Sequence, residues 1–238
     1  AYASALLVMR LNLPFLVALL LAGVIAAVLA TLVTLPIWRL GGHYVSMATL
    51  ALGYIVLSVI RGWDALTKGA YGLSGIPAPE ILGLRLLVAE DHYQLDLVVL
   101  AITLFVVFRI RSSHLGNVLA AVGSDEIASR SLGLRTRGYK ALAYALAAFF
   151  AGMAGALLAH QYNYLDPTVF TVQMSVLVLT IVVLGGINSP FGAVLGSLAL
   201  VGLPEALRLA PDVRILLYGI VVIAIIRFLP QGLWTRRA

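Results

Sequence analysis

Chemistry needs reactive side chains at defined spacing, and this sequence offers few. The four histidines, His43, His92, His114 and His160, are scattered, and none has a carboxylate or second histidine at ligand spacing, so metal binding is not expected. There is no cysteine, which removes disulfides, thiol catalysis and thiolate metal sites. No GxxxxGK(S/T) loop is present to cradle a nucleotide, and no GxSxG elbow to present a nucleophile. No acid or base falls in the middle of an apolar tract, where a proton- or sodium-driven carrier generally needs ionisable groups or equivalent oxygen sites. These absences speak against an enzyme, a self-powered pump and a self-powered carrier. If this chain moves a solute uphill, the energy comes from another subunit.

What remains is one long polar interruption in the apolar second half, AAVGSDEIASRSLG, from Ala120 to Gly133. Arg109 and Arg111 precede it, and Arg135, Arg137 and Lys140 follow. Asp125 and Glu126 stand early in a helix that ends near Gly133. Acids there suit the positive end of the helix dipole, and glycine suits a C-terminal stop. Taken alone this is a capped surface helix. Between two membrane spans it becomes a rigid lever that a soluble partner could grip.

The elements that would hold this lever follow from composition. The chain has 238 residues, of which 62% are hydrophobic and 11% charged, and its mean hydropathy is +1.04. A soluble domain carries about 25% charged residues. The recurring apolar tracts are too long and too uniform for the alternating strands of a membrane barrel. The fold class is all-α, a polytopic transmembrane helical bundle. The net charge of +6 records orientation rather than nucleic-acid binding.

Residues 1–238 are expected to form a single transmembrane domain, with a polar loop over 112–138 inside it. Ala1 to Met9 reads as the end of a helix, so N-terminal spans are expected to be missing from this numbering. Spans are predicted over Pro14–Pro36, Tyr44–Ile60, Tyr93–Phe108 and Tyr139–Ala159, then Thr171–Leu184, Phe191–Leu203 and Val213–Leu229. Arg61 to His92 is a long connection, rich in Gly and Pro between Leu66 and Gly83, which must turn repeatedly. A loop of that length is often a lid or a partner surface. Gly152 and Gly155 in AGMAGAL read as a close helix contact. Gly185 to Pro190, GGINSP, allows two forms: a tight hairpin between full spans, or half-helices meeting inside the membrane. Ser46, Thr49, Gly53, Tyr54 and Ser58 in the second span face either packing or a solute path.

Alternating the connections puts Arg39, Arg109, Arg111, Arg130, Arg135, Arg137, Lys140 and the C-terminal arginines on one side, with only Asp125 and Glu126 against them. Positive-inside counting places that side in the cytoplasm. The Gly-Pro loop and the Asp166-Pro167 turn then fall outside.

At the polar loop the sequence resembles the membrane subunit of a bacterial ABC importer, whose cytoplasmic EAA-type motif has a Glu, alanines and a later Gly. Glu126, Ala128 and Gly133 match it, and Ile127 stands where an alanine is often found. The wider chain is similar to the LivM-type permease of branched-chain amino acid importers. The stretches that carry this are GGHYVSMATLALGYIVL, LTKGAYGLSGIP, AGMAGALLA, VVLGGINSPFGAVLGS and LPQGL. The resemblance implies a second, LivH-type permease, two cytoplasmic ATPases and an extracytoplasmic substrate-binding protein, with this chain a multi-pass protein of a bacterial inner membrane. It implies no cofactor in this chain, since ATP and Mg would sit in the ATPases. It assigns coupling to Asp125, Glu126, Ala128 and Gly133. Path candidates are Thr49, Gly53, Tyr54, Gly185, Gly186 and Asn188. The family often carries an acid where Tyr54 stands. Its members also serve urea, short amides and aromatic acids, so a urea or amide permease is the rival within the class. A passive channel is the rival outside it.

Overall fold

The computed structural model describes residues 1–34, 37, 43–81, 84–86, 88–186 and 189–202. They are almost wholly helical and form two compact units, Ala1–Val169 and the chain from Phe170 on.

In the first unit α1 (Tyr2–Leu11) ends at Asn12, and Pro14 precedes α2 (Phe15–Thr34). α3 (His43–Gly62) bends by 76° into the short α4 (Asp64–Thr67) and a 3-10 turn, Gly69–Tyr71. Then come α5 (Ala89–Arg111), α6 (His114–Ser124), α7 (Glu126–Ser131) and α8 (Thr136–Tyr162). Among the described residues α2, α5 and α8 are each long and apolar enough to cross a membrane, and two bent helix pairs pass together. α8, with 27 residues, is about 40 Å long. The four spans predicted up to Ala159 thus appear as α2, α3, α5 and α8, each longer than or close to its apolar tract. The last predicted span, Val213–Leu229, lies outside the described residues, as do Trp38 and Arg39.

α2 and α8 form the centre of the unit. Lipid tails are as apolar as leucine, so association here depends on close packing rather than on exclusion of water. Ala18, Leu19, Ala22 and Gly23 of α2 are buried, while Leu20, Val24, Val28 and Leu32 are exposed on its other faces. A Cβ added to Gly152 of α8 would lie 2.7 Å from the Ala26 Cβ and 2.9 Å from the Ala22 carbonyl oxygen. The predicted contact at Gly152 is therefore with α2. Phe15, Leu19, Ala22, Met153 and Ala156 complete this core.

The long connection after α3 is built from very short pieces. β1 (Leu73–Ser74) pairs antiparallel with β4 (Tyr164–Leu165), which follows α8, and β2 (Glu80–Ile81) pairs with β3 (Leu84–Arg85). A second core of Ala5, Leu73, Ile76, Ala159 and Leu165 lies where the loop, α1 and the end of α8 meet.

In the second unit α9 (Val172–Gly185) is capped by the Thr171 hydroxyl. α10 (Pro190–Ser197) is capped by Ser189, whose Oγ accepts from Gly192 N at 3.2 Å, with Pro190 in the first turn. A π-helical turn, Leu198–Gly202, follows. The chain bends by 119° between the two helices. α9 has 14 residues and reaches about 21 Å, short of a ~30 Å hydrocarbon core. Among the described residues α9 is thus shorter than a full span, and both forms of GGINSP stay open.

Candidate functional site

The polar stretch is two helices rather than one. α6 begins at Ser113, whose Oγ accepts from Gly116 N, and packs Val118 and Val122 inward. It stops at Asp125, whose backbone is extended (φ −149°). The Asp125 carboxylate then caps α7, with Oδ1 accepting from Ile127 N and Ala128 N, both at 2.9 Å. The result is an elbow, α6 then α7, joining α5 to α8.

Gly133 ends α7 with φ +80°, a left-handed conformation that costs any other residue about 1–2 kcal/mol. Its N–H donates to the Arg130 carbonyl at 2.9 Å, and Leu134 N–H donates to the Ser129 carbonyl at 3.1 Å, closing the helix end.

Glu126 points back onto α8. Its Oε1 accepts from Arg130 at 2.6 Å and from the Thr136 hydroxyl at 3.3 Å, and its Oε2 takes the Lys140 ammonium. Arg130 Nε also donates to Thr136 Oγ1 at 3.1 Å. Hydrogen bonding from Lys140, and secondarily from Arg130, holds the Glu126 carboxyl below its ordinary pKa. This carboxylate fastens α7 to the first turns of α8. Two exposed apolar residues that composition did not single out stand here, Ile127 in the first turn of α7 and Leu132 at its C-cap. Ile127 is 79% exposed and Leu132 is 81% exposed. A branched apolar residue in a polar loop was the available signal, and Ile127 was noted only as a departure from alanine. A groove of about 350 Å³ lined by Gly133, Leu134, Arg135, Gly138, Tyr139 and Leu142 runs onto α8.

The path candidates fall in both units. Thr49, Gly53 and Tyr54 lie on α3, where Thr49 and Gly53 share a face at i, i+4 spacing. α3 is poorly covered: Tyr54 is 59% exposed, and a Cβ added at Gly53 would meet nothing within 4 Å. Gly185 is buried, and a Cβ there would collide with the Gly192 carbonyl, so its missing side chain lets α9 and α10 touch. Gly186 caps α9 at φ +113° and accepts from Ser189 N at 3.0 Å. Asn188 lies outside the described residues.

His160 has a structural place that its isolation in sequence hid. It is fully buried at the far end of α8. Its Nδ1 is 2.8 Å from the Pro77 carbonyl, and its Nε2 is 2.9 Å from the Ser4 hydroxyl. A carbonyl only accepts, so Nδ1 carries the proton, and in the neutral ring Nε2 accepts from Ser4. Among the described residues no cluster of three or more His, Asp or Glu could hold a metal.

An apolar helical bundle with a capped elbow between two long helices is the frame of a membrane permease. The chain belongs to the family described as "Branched-chain amino acid transport system / permease component", whose family profile matches residues 1–226. It is 34% identical over 256 residues to the high-affinity branched-chain amino acid transport system permease protein LivM of Escherichia coli (strain K12), covering 98% of this chain and 60% of that protein. To the LivM protein of Salmonella typhimurium (strain LT2) it is 33% identical, with the same coverage of both. The permease protein LivH of Escherichia coli (strain K12) is 33% identical over 144 residues, 59% of this chain and 44% of that protein. The chain thus spans about 60% of the length of the LivM proteins it matches. No solved structure matches it.

Proposed function

We propose that this chain is a transmembrane permease subunit of an ATP-binding cassette importer that brings branched-chain or related small amino acids into the cytoplasm. It would sit as a multi-pass protein in a bacterial inner membrane. The chain itself carries no catalysis; ATP and Mg would be bound by two separate cytoplasmic ATPases. A second, LivH-type permease would complete the pathway, and an extracytoplasmic binding protein would deliver the solute.

The observation that carries the reading is the α6–α7 elbow. Two aliphatic side chains stand in the open on a helix that is capped at both ends and fastened to a membrane-length helix by Glu126. Exposed apolar anchors on a rigid element are what a docking partner buries. In this assignment Ile127 and Leu132 enter a groove on an ATPase, with Ala128 leaving room between them. Asp125 and Gly133 fix the ends of α7, and Glu126 passes its displacement to α8. The poorly covered α3, with Thr49, Gly53 and Tyr54, is the surface left for the second permease and the solute path. Gly185, Gly186 and Asn188 are the remaining path assignments.

The test is uptake of labelled leucine into vesicles holding the full-length protein with its co-purified partners. Uptake that needs ATP and is competed by isoleucine and valine supports the reading. Competition by urea or acetamide and not by leucine would move the cargo to short amides. Flux without ATP would make the chain a passive channel.

A further inference from the structure

α8 is fastened at both ends, and the far fastening has no assigned role. The loop between α3 and α5 is held to the end of α8 by the Leu73, Ile76, Ala159 and Leu165 packing and by hydrogen bonds. His160 Nδ1 donates to the Pro77 carbonyl, and Asn163 Nδ2 donates to the Ile76 carbonyl at 2.8 Å. Ile76 N–H returns a bond to the Asn163 carbonyl at 3.3 Å, and the Tyr164 hydroxyl donates to the Tyr71 carbonyl at 2.8 Å. The β1–β4 pairing, Leu73 with Leu165 and Ser74 with Tyr164, adds the backbone register. Ile76 and Pro79, flanking Pro77, are buried, whereas Pro77 itself borders open space. A cavity of about 390 Å³ lies there, bounded by Val8, Asn12, Phe15, Pro77, Glu80 and His160. At Pro77 the side-chain tie to α8 is the His160 bond, which acts beside those of Asn163 to Ile76. The His160 ring packs edge-on against Phe15 at 4.9 Å, and both nitrogens are engaged.

We propose that His160 is a positioning residue that makes loop residues 71–77 travel with α8, so that a displacement received at the elbow is delivered to the opposite face of the membrane. The inference rests on the importer reading above. It holds that the loop is carried by α8 and is not a lid that parts from it. Hydrogen bonds between neutral groups are not screened by salt as exposed ion pairs are, and a partner left unpaired where it is buried is costly.

These 238 residues hold no cysteine, so a pair introduced among them meets no native thiol within the segment. Ser74 and Tyr164 are register partners, and antiparallel partners stand about 4.5–5.5 Å apart at Cα, within disulfide reach. Full-length protein with its partners is reconstituted in vesicles, and wild-type uptake is established first, so that failure of the importer reading shows there. Ser74→Cys with Tyr164→Cys is then oxidised to lock the loop to α8. Locked protein that keeps wild-type ATP-dependent uptake is the expected result. Locked protein that loses uptake and regains it on reduction would overturn the proposal. His160→Phe keeps the aromatic contact and removes both hydrogen bonds. It is expected to lower uptake about tenfold, on the scale of one to two such bonds, while ATP hydrolysis persists. The lock is expected to restore uptake in that background. His160→Phe with wild-type uptake would also overturn the proposal. Should that variant fail to assemble, Ser4→Ala, which removes one of the two His160 bonds, is measured instead: a smaller loss of uptake restored by the lock is expected, and unchanged uptake would overturn the proposal.

Discussion

The two ends of α8 are fastened by different means. At the elbow end a surface carboxylate, Glu126, gathers Arg130, Thr136 and Lys140. At the loop end a fully buried neutral histidine joins Ser4 and Pro77. Charged pairs in contact with water cost little to make or break, and salt screens them. Buried neutral bonds are worth little while made, but each orphaned partner is expensive. One end can exchange a bond with a partner surface. The other is set once, on folding.

The largest expected effect is at the loop end. His160→Ala strands the buried Ser4 hydroxyl, at about 1–3 kcal/mol, and removes the bond to the Pro77 carbonyl beside the cavity. Thermal unfolding of the full-length protein in detergent should show it, and an unchanged midpoint would remove the distinction between the ends. Next comes Gly133→Ala, which forces a side chain into φ +80° at about 1–2 kcal/mol. Its Cβ would meet nothing within 4 Å, so Gly133→Asn, more tolerant of that region, should recover part of the loss. Glu126→Gln should cost less, about 0.5 kcal/mol in the range of exposed ion pairs, and that cost should shrink in high salt.

The pH dependence sharpens the contrast. The folded Glu126 pKa is lowered below the ordinary glutamate value of 4.5. Its contribution is therefore present above about 4.5 and is lost as pH falls through the lower folded value. A stability profile from pH 7 down to 3 should lose a small increment in wild type that Glu126→Gln lacks. Identical profiles would mean that the carboxylate braces nothing.

The sequence was informative where one physical signal dominated. Long apolar runs placed α2, α3, α5, α8 and α9 closely, because lipid demands them. Gly152 announced a tight contact, although not that α2 was the partner. Gly133 announced the end of α7 as a C-terminal stop, and the acids Asp125 and Glu126 announced the neighbourhood of its start through the helix dipole. The extra break at Asp125, which splits the polar stretch into α6 and α7, was missed because Ala120–Ser124 continues a helical pattern. His160 was set aside as isolated, since its partners lie 156 and 83 residues away. Glu126 read as a gripping residue by position, whereas its carboxylate turns inward, a direction that depends on the fold of α8. Ile127 and Leu132 carried no pattern; only their exposure marks them.

The most direct measurement is affinity purification of the full-length protein from native membranes, comparing wild type with Ile127→Asp plus Leu132→Asp. Both side chains are open to solvent, so the double variant should fold and keep its unfolding midpoint. The account predicts that wild type brings down two ATPases and a second permease. It predicts that the variant keeps the permease and loses the ATPases, with ATP-dependent uptake lost too. Equal recovery of the ATPases by both proteins would contradict the assignment of the elbow as the docking site.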